Sequence, residues 1–93
     1  MAKLNATKFM MSFVQEYLDG DMDRLGFELD FNHYLIENYP KMELEYNDLA
    51  EYFYFCLGEQ GHDKGSGLSD DEHKELIRQQ FDEFKAAMRD GIF

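Results

Sequence analysis

Residues 46–57 read Tyr46-Asn47-Asp48-Leu49-Ala50-Glu51-Tyr52-Phe53-Tyr54-Phe55-Cys56-Leu57, a segment that packs acids and rings into three helical turns. Leu49, Tyr52, Phe53, Cys56 and Leu57 recur at intervals of three and four, which only a helix gathers on one face. Tyr46 and Ala50 extend that stripe. Glu43, Glu45, Asp48 and Glu51 are then left for solvent. A strand over 52–57 competes, because Tyr and Phe favour pleated surfaces, but the length of the pattern and the lack of a matching partner strand decide for helix. Tyr54 and Phe55 fall outside the stripe, so this helix, about 42–58, is apolar on more than one side. It is expected at the centre of the fold.

Upstream, Phe9, Met10, Phe13, Val14, Tyr17 and Leu18 predict a helix over about 6–19. Asn5 or Thr7 is a candidate cap, and Gly20 in Asp19-Gly20-Asp21 can take the left-handed stop. Between 21 and 40 two periods compete. Phe27, Leu29 and Phe31 alternate with Glu28 and Asp30 as in a strand, whereas Phe31, Tyr34, Leu35 and Asn38 follow helical spacing after an Asp30 cap. A helix over about 30–38 is preferred, ended by Pro40, with a hairpin within 26–39 as the alternative.

Downstream, Gly58 to Gly67 hold four glycines among polar residues and read as a flexible loop. Ser69-Asp70-Asp71-Glu72 is a capping box. It opens a helix over about 69–90 that is striped by Leu76, Ile77, Phe81, Phe84 and Met88 and ends at Gly91. The expectation is an all-α, compact bundle of about four helices forming a single domain over residues 1–93. Ninety-three residues suit one core, and nine Phe and six Tyr supply material for it.

Charge narrows the function. Nine Lys and Arg against twenty Asp and Glu give a formal net charge of −11. Such a field repels nucleic acid and anionic lipid and attracts cations and basic proteins. The bias is local as well. From residue 25 to 63, Lys41 is the only Lys or Arg among Glu28, Asp30, Glu37, Glu43, Glu45, Asp48, Glu51, Glu59 and Asp63. Beyond Lys64, Glu75 with Arg78 and Asp82 with Lys85 sit at i,i+3, as on an ordinary solvated helix. The N-terminal residues lack the apolar stretch of a signal peptide and no run is long enough to span a bilayer, so a cytoplasmic location is expected.

Motifs for chemistry are weak. Asp19, Asp21, Asp23 and Asp30 imitate positions 1, 3, 5 and 12 of an EF-hand, but Arg24 stands where the turn needs Gly and Asp30 where a longer Glu belongs; weak cation binding is left open. The glycines at 58, 61, 65 and 67 do not match a phosphate-binding loop. His33, His62 and His73 are too scattered for zinc. His62 beside Asp63 lacks a third partner for base catalysis, and Cys56 reads as a small core residue. No enzyme activity, metal or cofactor is expected.

What remains is a non-enzymatic interaction domain. Glu28, Asp30, Glu37, Glu43, Glu45, Asp48 and Glu51 are the candidate negative patch for a basic protein partner. In size and charge the chain is similar to the small acidic DNA-mimic inhibitors of phages and mobile elements, of the anti-restriction or anti-CRISPR type, though no motif is shared. The competing expectation is a homodimer or structural accessory domain joined through Tyr46, Tyr52 and Tyr54.

Overall fold

In the computed structural model, which describes residues 4–90, four α-helices and one π-helical segment follow in order: α1 (Asn5–Leu18), α2 (Arg24–Glu45), α3 (Asn47–Phe53), the π-helix (Tyr54–Asp63) and α4 (Asp70–Asp90). Among the described residues there is no strand, so the fold is all-α and the hairpin alternative within 26–39 is not adopted. The expected C-cap at Gly91 lies outside the described residues. The chain divides into two compact units, residues 1–50 and 51–93.

In the first unit, α1 and α2 form an antiparallel pair around stacked rings. Tyr17 lies on Phe27 at 4.4 Å, Phe13 on Phe27 at 5.4 Å, and Phe13 meets Tyr34 edge-on at 5.2 Å. These offset and T-shaped geometries suit the ring quadrupoles. The expected stripe of α1 is buried at Met10, Phe13, Val14, Tyr17 and Leu18, while Phe9 stays half-exposed with its edge against Tyr34. Helix α1 stops as anticipated. Gly20 takes φ +87°, its N–H bonds the Tyr17 carbonyl at 3.1 Å, and the Asp21 N–H reaches back to Glu16 at 2.9 Å, the two bonds of a Schellman motif.

Helix α2 corrects the reading of residues 21–45. It starts earlier than an Asp30 cap and ends later than a Pro40 stop would allow: Asp23 is the cap, accepting from the Gly26 N–H at 2.7 Å, and the helix runs through Pro40 to Glu45. A proline in a helix interior costs about 3 kcal/mol through its missing N–H and its clash with the carbonyl four residues back. Here that carbonyl belongs to exposed Ile36, where water can reach it. The buried row Phe27, Phe31 and Leu35 resumes beyond the proline at fully buried Met42, and this continuous apolar seam outweighs the local defect. The chain breaks at Tyr46 instead, whose extended backbone (φ −163°, ψ 101°) separates α2 from α3.

The start of α1 is also corrected. Neither Asn5 nor Thr7 caps it; Leu4 occupies the cap position without a side-chain bond. Glu45 at the end of α2 does the capping, accepting from the Ala6 N–H at 2.6 Å, the Thr7 N–H at 3.0 Å and the Thr7 hydroxyl at 2.8 Å. No acid stands in the first turn of α1, so this carboxylate supplies the negative charge that the positive end of the helix favours.

In the second unit the glycine-rich stretch is not a loop. It coils as the wider π-helix through Asp63, with one further helical turn at Lys64 and Gly65. Its glycines are small because α4 is close. A Cβ on Gly61 would lie 2.9 Å from Ile77 Cδ1, and one on Gly65 would lie 2.9 Å from His73 Cδ2. Phe53 meets Phe84 edge-on at 5.1 Å. The pairs 53 with 84, 61 with 77 and 65 with 73 keep one antiparallel register. At the turn the capping box forms as read: Glu72 N–H to Ser69 Oγ at 3.3 Å, and Ser69 N–H to Glu72 Oε1 at 3.4 Å.

Candidate protein-binding face

The acids singled out from the sequence fall into three situations. Glu45 is engaged in capping α1. Burial alone would push its carboxyl up, but the hydrogen bonds from Ala6, the Thr7 N–H and the Thr7 hydroxyl outweigh this and hold it below the ordinary glutamate value of 4.5. Glu28 is paired with Arg24 at 2.9 Å, and Glu37 faces His33 at 3.2 Å, both one turn apart on α2. Asp30, Glu43, Asp48 and Glu51 are exposed and have no ion-pair partner among the described residues. Glu51 belongs to the second unit and the other six to the first.

Helix α4 behaves differently. Its expected pairs form, Arg78 with Glu75 at 3.9 Å and Lys85 with Asp82 at 3.7 Å, and Lys85 also lies over the Phe81 ring at 4.5 Å. Asp71 and Glu83 on the same helix are exposed without an ion-pair partner among the described residues.

On α2 the acids do not form one row. At 100° per residue, Asp30 and Glu37 share one side and Glu28 lies on another, while Glu43 sits between them. What they border is a line of apolar side chains that sequence reading missed: Leu25, Leu29 and Ile36 are 64%, 67% and 75% exposed, opposite the buried row Phe27, Phe31 and Leu35. Leu44, 89% exposed, lies beside the far end of the line. Taking 24–45 as one helix would have revealed it. Leu29 instead reads as the middle apolar member of a strand alternation with Phe27 and Phe31.

Of the candidate aromatic interface, Tyr46 and Tyr54 are exposed, as is Phe55. Tyr52 is half-buried, with its ring 6.2 Å from Phe84. A hydrogen bond with Cys56 is the main cause that raises its hydroxyl pKa. Cys56 is fully buried, and burial pushes its thiol up, away from the thiolate a nucleophile needs.

The EF-hand imitation does not survive folding. Asp19, Asp21 and Asp23 lie in a short turn and Asp30 lies inside α2, so the twelve-residue loop is absent. Among the described residues no three His, Cys, Asp or Glu side chains gather as metal ligands. His62 Nδ1 is 3.4 Å from Asp63, His33 is on exposed α2 surface, and His73 is buried under Gly65. No described helix is long and apolar enough to cross a membrane. Comparisons with protein-family models, with curated proteins and with solved structures find no match to this chain.

Proposed function

We propose that this protein is a non-enzymatic interaction domain whose acidic surface on α2 and the start of α3 binds a basic protein partner. The supporting observation is that Asp30, Glu43 and Asp48 are exposed without ion-pair partners among the described residues, in a stretch, residues 25–63, whose only Lys or Arg is Lys41. Unneutralised surface carboxylates steer an oppositely charged protein and raise its association rate. A partner that itself binds nucleic acid fits this chemistry, since the carboxylates would compete for the surface that holds phosphates.

The test is capture of basic proteins on the immobilised chain across a salt series, with duplex DNA as competitor. Binding should weaken steeply as salt rises, fall in the Asp30→Asn, Glu43→Gln, Asp48→Asn variant, and be displaced by DNA if the partner is a nucleic-acid-binding protein. Capture indifferent to salt and to the three substitutions would reject the reading. Salt-resistant association lost in Tyr54→Ala would favour the aromatic homodimer in its place.

A further inference from the structure

We infer that the exposed line Leu25, Leu29 and Ile36 seats a basic amphipathic helix of the partner, laid along α2. The inference rests on the basic-partner reading above and adds the shape of what binds.

Helix α2 has two apolar faces, and the first unit uses only one. Phe27, Phe31, Leu35 and Met42 are buried, while Leu25, Leu29 and Ile36 stand outward at i, i+4 and i+11. Single exposed leucines are ordinary on a protein surface. Three on one helical face make a seam about 16 Å long at 1.5 Å per residue, lengthened to about 22 Å by exposed Pro40. A straight seam of that spacing is complementary to another helix carrying apolar anchors every three or four residues.

The borders choose the occupant. Glu28 adjoins Leu25 on one side, Asp30 and Glu37 run along the other beyond His33, and Glu43 closes the line past Ile36. Glu28 is already paired with Arg24, so a helix with Lys and Arg beside its apolar face would meet Asp30, Glu37 and Glu43 as its anchors are buried. A second copy of this chain would set acids against acids, and an anionic lipid surface would be repelled for the same reason.

The probe is a synthetic peptide of about 18 residues, five helical turns, with a leucine face bordered by Lys and Arg. A scrambled peptide of identical composition serves as the control. Both are titrated by fluorescence anisotropy into the full chain. The designed peptide should bind at least tenfold more tightly than the scramble. Leu29→Gln with Ile36→Gln should cost at least tenfold at low and high salt, with an unchanged thermal midpoint because both side chains are exposed. Asp30→Asn, Glu37→Gln and Glu43→Gln together should weaken binding at low salt, with the difference shrinking as salt rises.

Equal binding of the scramble would overturn the helix assignment. Weakening by the three carboxylate changes with none from Leu29→Gln and Ile36→Gln would overturn the seam and leave the basic-partner reading standing. Failure of both peptides alongside salt-sensitive capture of a basic protein would do the same. A dimer in sedimentation that the Leu29 and Ile36 substitutions dissolve would assign the line to a second copy and overturn the inference.

Discussion

The carboxylate of Glu45 accepts from both the backbone N–H and the hydroxyl of Thr7, at 3.0 and 2.8 Å, joining the end of α2 to the start of α1. A helix N-terminus leaves its first N–H groups without intrahelical partners, and α1 has no cap of its own to satisfy them. Glu45→Ala should therefore destabilise the chain by about 1–2 kcal/mol in urea unfolding, the range for loss of a cap. The pH dependence has a definite sign. Because the folded pKa lies below the unfolded one, the contribution is present above about pH 4.5 and is lost as pH falls through the folded value. Wild type and Glu45→Gln should thus converge in stability in acid. A gap that stays constant from neutral pH down to about pH 3 would show that the charge on Glu45 is not what matters.

Glycines 61 and 67 test the packing of the second unit by contrast. A methyl at Gly61 would press on Ile77 Cδ1 at 2.9 Å and on the Cys56 carbonyl at 3.2 Å; Ile77 is fully buried and has little room to yield. Overpacking should outweigh the gain in helix propensity, leaving Gly61→Ala about 1–2 kcal/mol less stable. Gly67 has open space around the same position and no left-handed φ. Gly67→Ala should be neutral or up to about 1 kcal/mol stabilising, by restricting the unfolded chain. Thermal melts of the two variants moving in the same direction would contradict the close approach of the π-helix to α4.

Where sequence reading succeeded, the signal was local and agreed with the packing. Helix α1 carried an unbroken stripe and a glycine stop, and Gly20 adopts the conformation that stop requires. The Ser69 and Glu72 box likewise needs only four consecutive residues. Helix α2 was misread because its two apolar faces superimpose in sequence: Leu29, from the outer line, fell between Phe27 and Phe31 of the inner one and simulated a strand. The glycines after Leu57 read as breakers in the sequence, whereas burial of Gly58 and Gly61 makes them spacers. Glu45 looked like one more surface acid because its partners lie 38 and 39 residues away and leave no local trace. For the candidate face, the exposed acids were legible from charge, but the apolar line they border depended on getting α2 right.

Pro40 provides a direct check on α2. If the helix continues through it, Pro40→Ala restores an N–H facing the Ile36 carbonyl and removes the ring clash, at an exposed position where nothing else is lost. The expected result is a gain of about 1–3 kcal/mol in urea unfolding, with a small rise in helical circular dichroism. A loss of stability would mean that Pro40 fixes a bend on which the Glu45 cap depends. The double variant Pro40→Ala, Glu45→Ala separates the two: additive effects place the residues in independent roles, and a coupling above about 0.5 kcal/mol links them.

Cys56 reports on opening of the second unit. Its sulfur is fully buried, and burial raises its pKa while the Tyr52 hydrogen bond pulls the other way and Glu83 adds to the rise. Both burial and scarcity of thiolate oppose modification, so the native chain should react with a thiol reagent orders of magnitude more slowly than the urea-unfolded chain. The rate should follow the population of opened molecules and increase in Gly61→Ala, whose added methyl loosens the same packing. Tyr52→Phe removes the phenolic partner but keeps the ring beside Phe84. It should therefore raise the pKa of the buried thiol further, read by thiolate absorbance across a pH titration of the folded chain, without exposing the sulfur. Rapid labelling of the native wild-type chain, at a rate close to that of the unfolded one, would place Cys56 at the surface and overturn this account of the π-helix and α4 interface.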